Sequence, residues 1–254
     1  MTGDNHVFKG RDQIRDAYRD DGVARNYIRE RFREPLGALL HERQTRALRD
    51  ALNEDQPHQV LELAPGPGRI TTDIVGLPGV RGVVVEASAQ MLAEARKRVE
   101  PQAGGRWSFV HADGFHLPFG QSFDAAYTFR LIRHFDDGDR ARVYKELARV
   151  LKPGGLLVFD AVNIVVSARV RAKSPGDHQH FDALMTPERL AAELREAGFS
   201  IPTLQGVQYR YETLYRLQTL VAPRSRRLAR AAMELVDRVG GGEPLEWVVT
   251  CRRV

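Results

Sequence analysis

Between Gln59 and Asp160 short apolar runs alternate with amphipathic stretches. The runs at 59–63, 82–86, 107–111, 123–128 and 155–160 predict strands buried in a sheet, and the stretches at 69–76, 88–99 and 137–150 predict helices between them. This alternation predicts an α/β fold whose parallel strands are joined by right-handed crossovers, with ligands beyond the strand C-termini. Upstream, Ile28, Phe32, Leu36, Leu39, Leu40, Leu48 and Leu52 recur at near-helical spacing, and Pro35 opens a second helix. Residues 1–52 are therefore read as a helical cap, and 53–254 as the main domain. After Asp160 the pattern loosens, and 161–185, with Lys173-Ser174-Pro175-Gly176-Asp177, reads as a lid loop over the site. Thr186-Pro187-Glu188 opens a helix, with Leu190, Leu194 and Ala197 on one face and Gly198 ending it. A strand near 199–207, a helical insertion over 209–239 and a last strand from Leu245 to Cys251 complete the chain, which has no internal repeat.

Composition narrows the class. A chain of 254 residues can bury a full core as one main domain. Its single cysteine, Cys251, excludes an intramolecular disulfide framework and suits a reducing, cytoplasmic setting. The polar start Met1-Thr2-Gly3-Asp4-Asn5-His6 and the lack of an apolar run of about 18 residues argue against export or membrane spanning. The net charge of +5 raises nucleic acid as a partner, but the charges are scattered. All but five of the 38 basic residues are arginine, and the tightest cluster, Arg224, Arg226, Arg227 and Arg230, reads as a solvated helix face.

The chemistry concentrates where the first predicted strand meets Ala64-Pro65-Gly66-Pro67-Gly68. Gly66 and Gly68 permit a sharp turn and a close backbone approach to a ligand. Glu86, ending the second strand, is placed to accept hydrogen bonds from two ribose hydroxyls. A dinucleotide fingerprint needs a third glycine where Thr71 stands, and a phosphate-binding loop needs Gly-Lys-Ser or Gly-Lys-Thr where the chain reads Gly68-Arg69-Ile70. NAD and ATP are disfavoured. Glu62 suits an ammonium better than a pyrophosphate, which points to S-adenosylmethionine.

Five blocks in order carry a family resemblance: Leu61-Glu62-Leu63-Ala64-Pro65-Gly66-Pro67-Gly68, Val84-Val85-Glu86-Ala87-Ser88-Ala89-Gln90-Met91-Leu92, Ala112-Asp113-Gly114-Phe115-His116-Leu117-Pro118-Phe119, Phe123-Asp124-Ala125-Ala126-Tyr127 and Leu151-Lys152-Pro153-Gly154-Gly155-Leu156-Leu157-Val158-Phe159. The sequence resembles class I S-adenosylmethionine-dependent methyltransferases, with one departure: Ala64 replaces the usual first glycine. The resemblance implies a Rossmann-like, doubly wound sheet of seven strands whose last strand is antiparallel and inserted between its neighbours. It places Ala87, Met91 and Arg130 beside the cofactor, and Asp113-Gly114-Phe115 at the adenine, though an Asx turn is the competing reading. It implies Tyr27 and Arg31 at the methionine carboxylate, where an amphipathic helix with inward aromatic residues would look the same.

His134, with Arg133, follows the fourth strand near the transferred methyl, and reads either as a general base or as a packing residue. Tyr18, Arg133, His178 and His180 are candidate substrate contacts. The His178-x-His180 pair has no third ligand nearby in sequence, so no metal is expected. The reading is a cytoplasmic methyltransferase acting on O, N, C or S of a small molecule by in-line displacement. An RNA methyltransferase and a non-methylating user of the cofactor, by cyclisation or aminocarboxypropyl transfer, are the alternatives.

Overall fold

The computed structural model describes residues 32–173 and 182–254. Seven strands form the body of one sheet: β1 (Gln59–Leu63), β2 (Arg81–Glu86), β3 (Trp107–His111), β4 (Phe123–Thr128), β5 (Leu151–Asn163), β7 (Thr203–Tyr209) and β8 (Pro244–Arg252). Their order is β3-β2-β1-β4-β5-β8-β7. β1 to β5 run parallel, while β8 lies antiparallel between β5 and β7, as the resemblance implies. One further strand, the two-residue β6 (Leu184–Met185), pairs with the end of β5.

Alternation along β1 shows why both faces must be covered. Leu61 and Leu63 enter a core with Phe115, Tyr144, Leu147, Phe159, Leu190 and Leu194, whereas Val60 joins Leu48, Leu52, Ile74, Val84, Leu92 and Tyr127 on the other side. α4 (Asp137–Val150) and α6 (Pro187–Glu196) supply the first face. The second is supplied by α1 (Pro35–Asp55), α2 (Thr71–Ile74) and α3 (Ala89–Ala103). Asp136 caps α4 and Thr186 caps α6 through their side-chain oxygens, and Pro187 opens α6 as expected.

Two organisational expectations change. The cap boundary at residue 52 falls inside α1, whose Ala47, Leu48 and Leu52 are buried against the sheet, so this helix belongs to the main core. Residues 1–31, with Tyr18, Tyr27 and Arg31, lie outside the described residues, as do His178 and His180. The expected lid loop at 161–185 begins instead as the end of β5, continues as α5 (Ile164–Lys173) and ends in β6. Asn163 starts α5 by accepting from Val165 N at 2.9 Å while its amide holds Pro244 O, which the loosened apolar pattern did not reveal. The insertion before β8 is helical, as α7 (Tyr211–Leu220) and α8 (Arg226–Val239). Arg226 and Arg230, read as part of a solvated face, bind Glu34 and Glu42 and so pin α8 to the start of α1. No described helix is long and apolar enough to cross a membrane.

A buried charge cluster locks the C-terminal end of β5 and the N-terminal end of β8 to the turn after β4. Arg133, 4% exposed, donates to Glu246 Oε1 at 2.9 Å and through its other terminal nitrogen to Asp160. Burial alone would weaken its charge, but the two carboxylates override that and hold it cationic. Burial would likewise raise Asp160, and the guanidinium outweighs it, keeping that carboxyl below the usual range. Arg133 is thus structural and does not reach the cavity as a substrate contact, because two inward carboxylates claim its guanidinium. Arg133→Met should cost about 3–5 kcal/mol in urea unfolding, since it strands two buried anions. A loss below about 1 kcal/mol, the scale of an exposed ion pair, would contradict this role.

Candidate functional site

The strand order reverses between β1 and β4, and the crevice beyond their C-terminal ends holds a cavity of about 630 Å³. That volume lies within the usual range for small-molecule sites. Of the residues expected to act, Glu62, Ala64, Gly66, Glu86, Ala87, Met91, Asp113, Gly114, Phe115, Arg130 and His134 line it together.

The turn after β1 is left-handed at three places, Ala64 (φ 52°), Gly66 (φ 58°) and Gly68 (φ 79°). A Cβ on Gly66 would meet nothing within 4 Å, so its surroundings are open on the cavity side. Gly68 does not line the cavity. A Cβ there would sit 3.2 Å from Ala95 Cα and 3.3 Å from Val99, so its small size brings the turn against α3. Ala64 accepts the conformation that glycine adopts without strain, held by its amide bond to Val85 O at 2.8 Å.

Three carboxylates line the cavity beside this turn. Glu86 accepts from Gly66 N at 3.1 Å and Ser88 N at 2.9 Å; burial raises its pKa against the pull of those amides. Glu62 is pushed up to about 7 by burial, although Tyr127 donates to its Oε2 at 2.9 Å. Asp113 Oδ1 accepts from Phe115 N at 3.0 Å, so the Asx turn is present, and it sits in the cavity wall with its second oxygen outside that bond.

Sequence reasoning passed over Arg69, which also lines the cavity. Its guanidinium stacks 4.2 Å over Phe32 and bonds His41 Nδ1 at 2.8 Å and Gln44 Oε1 at 3.0 Å. The signal was its position directly after Gly68, one residue beyond the turn. Phe129, Leu131 and Phe135 were also missed, and they give the end of the cavity near His134 an apolar wall. Arg130 stands there in the left-handed region (φ 63°), its amide held by Asp160 Oδ1 at 2.6 Å. His134 Nδ1 lies 3.3 Å from Asp182, a residue that no sequence pattern marked.

The donor set fits an adenosyl group carrying an amino acid better than a phosphorylated nucleotide. Carboxylates face the places where hydroxyl and ammonium donors would sit, and an apolar side chain, Met91, lies beside them for a ring. The raised Glu62 pKa has a measurable consequence. Its unfolded value is near 4.5 and its folded value about 7, so its stabilising protonated form is fully present below 4.5 and lost as pH rises through about 7. Glu62→Gln should therefore gain stability relative to the wild type between pH 5 and pH 8, by on the order of 3 kcal/mol at most. Urea titrations showing a pH-independent difference would refute this.

The comparisons agree with this geometry. The profile of a methyltransferase domain family matches residues 60–155. A methyltransferase of Streptomyces halstedii, GfsG, is 35% identical over 128 residues, covering 50% of this chain and 45% of its own. The O-methyltransferase cnsE of Penicillium expansum is 26% identical over 181 residues, covering 69% and 64%. The chain thus spans less than two thirds of the length of these relatives. In fold it resembles a SAM-dependent methyltransferase of Thermotoga maritima described as a possible histamine N-methyltransferase, with TM-score 0.65, 21% identity and coverage of 91% and 98%. Ordered motifs, sheet topology and the methyltransferase domain matched over residues 60–155 together support a class I S-adenosylmethionine-dependent methyltransferase.

Proposed function

We propose that the cavity binds S-adenosylmethionine and that the chain transfers its methyl group to a nucleophilic atom of a small molecule. The observation carrying this reading is that Glu62, Glu86 and Asp113 line one cavity beside a left-handed glycine turn at the strand C-termini. Glu86 accepts from the ribose hydroxyls, its position fixed by the Gly66 and Ser88 amides. The second oxygen of Asp113 takes the adenine amino group, with the Gly114 amide at the ring edge and Met91, Ala87 and Phe115 around the ring. Glu62, ionised when an ammonium approaches, holds the amino group beside Ala64. Arg69 and Arg130 stand toward the carboxylate end, where Tyr27 and Arg31 of the N-terminal segment would join them.

When bound, the cofactor supplies an already activated sulfonium methyl. The protein's own contribution is alignment and exclusion of water, which is why no nucleophilic side chain is needed. His134 is placed to take the acceptor's proton. The apolar wall of Phe129, Leu131 and Phe135 and the O-methyltransferase among the relatives favour a small apolar acceptor over a nucleic acid. A cytoplasmic setting is consistent with the composition.

Calorimetry should detect S-adenosylhomocysteine binding that Glu86→Ala weakens by about 1–3 kcal/mol, the scale of a hydrogen bond to a charged group. Circular dichroism checks that the variant folds, and Asp113→Ala, at an exposed position, gives a second test. No binding by the wild type, or full affinity in both folded variants, would sink the reading. His134→Ala should lower kcat by ~10²-fold or more with cofactor affinity nearly intact, on whichever acceptor a mass-spectrometric screen returns. Undiminished turnover would make His134 a packing residue.

A further inference from the structure

Binding an adenosyl group gives no reason for a carboxylate behind His134, yet Asp182 is built into that place from two sides. The amide of Ala183 donates to Arg133 O at 2.6 Å, tying the segment to the 3₁₀ turn Ile132–His134. Leu184 and Met185 pair with Val162 and Asn163 at the end of β5. Asp182 Oδ1 is buried, makes no hydrogen bond among the described residues, and lies 3.3 Å from His134 Nδ1. Its other oxygen accepts from Arg171 at 2.6 Å, and Arg171 Nε donates to Ser167 Oγ at 3.1 Å. α5 therefore braces the carboxylate, and the carboxylate faces the imidazole, which itself lines the cavity.

Resting on the reading of the cavity as a methyl-transfer site, we infer that Asp182 is a positioning residue that keeps the His134 proton on Nδ1, so that Nε2 removes a proton from a neutral hydroxyl or enol of the acceptor. A carboxylate behind imidazole selects the tautomer and stabilises the imidazolium that forms. Such support contributes only when the acceptor carries a proton to lose. A carboxylate acceptor arrives already ionised and gains nothing from it. As the acceptor oxygen bonds the methyl carbon, its proton passes to Nε2, and the electron pair of the breaking carbon–sulfur bond returns to sulfur. The imidazolium then yields its proton to water. The described charges near the ring are Asp182, Arg171 behind it, Arg130 at the mouth of the cavity, and Arg133, which Asp160 and Glu246 neutralise. Among the described residues Asp182 is an anion that faces the ring nitrogen, while Arg171 tempers it from the far side.

The test uses protein labelled with ¹⁵N-histidine, with S-adenosylhomocysteine bound and without it, as wild type, Asp182→Asn and Asp182→Glu; His134→Gln assigns the resonance. The wild type should hold the Nδ1–H tautomer. Asp182→Asn should titrate about one pH unit lower, because the imidazolium loses its anion, and should bind S-adenosylhomocysteine within about twofold of the wild type. Asp182→Glu should restore part of the shift. An Nε2–H tautomer in the wild type, or identical titrations in wild type and Asp182→Asn, overturns the role of Asp182. A second arm measures methyl transfer to simple phenols at pH 8. With phenol itself the Asp182→Asn rate should fall ~10- to 10³-fold, whereas 4-nitrophenol, largely ionised at that pH, should lose less than about threefold. Equal losses on both, or methylation of neither, overturn the acceptor class. The tautomer is readable without the cofactor product. Failure of the wild type to bind S-adenosylhomocysteine would therefore overturn the methyl-transfer reading and leave the Asp182–His134 result to stand or fall separately.

Discussion

One buried cation organises the working end of this sheet. Arg133 sits where β4 gives way to the turn that carries His134, and it is satisfied by carboxylates from β5 and from β8. Glu246 is in turn bonded by Gln44 of α1 at 3.3 Å, and Gln44 accepts from Arg69 beside the glycine turn. A polar thread thus runs under the cavity from the β4 turn to the β1 turn, through the inserted antiparallel strand. An apolar cluster of similar volume could serve stability as well. What it would not supply is register: a charge pair in low dielectric tolerates little displacement, and here it ties the β4 turn to the loop after β1 across the sheet.

The cavity divides into two halves of different chemistry. At the ends of β1, β2 and β3 the groups are backbone amides and carboxylates, Glu62 and Glu86 buried and Asp113 exposed. Glu86 illustrates the economy, since the same carboxyl orders the Gly66 and Ser88 amides and lines the cavity. At the ends of β4 and β5 the wall is aromatic and aliphatic around one histidine, and the pieces come from the β4 turn and from the segment before β6. In the proposed reading the first half would hold the cofactor. The second is free to differ.

That division explains what was legible in the sequence. β1, β2, β4 and β5 announced themselves because strands buried on both faces read as continuous apolar runs, and the acidic residues Glu62 and Glu86 followed from their distance to the glycines. The inserted β8 came from resemblance, since nothing local distinguishes it from a parallel strand. α1 was misread as a cap because an amphipathic helix shows that it buries a face, not which surface covers it. Arg133 and Asp182 were opaque for a related reason. Their partners lie 113 and 48 positions away in the case of Glu246 and His134 respectively, and no spacing rule spans such separations. A charged residue near a strand end looks equally suited to solvent, substrate or a buried counterion until the sheet order is known.

Backbone strain falls on both sides of the crevice. Ala64 ends the β1 side and Arg130 the β4 side, and both are left-handed without being glycine. Each conformation costs on the order of 1–2 kcal/mol and persists only where neighbours over-determine it. Both have such neighbours: Val85 O holds the Ala64 amide at 2.8 Å, and Asp160 Oδ1 holds the Arg130 amide at 2.6 Å. The carboxylate that anchors Arg130 is the one that neutralises Arg133, so the strain at the mouth and the charge beneath it are one construction. In the proposed methyl transfer, cofactor and acceptor would have to meet in line. A turn held rigid from below by a buried ion cluster is a way to present both walls at a fixed separation, and it makes the distance between the two halves of the site a property of the sheet and not of mobile side chains.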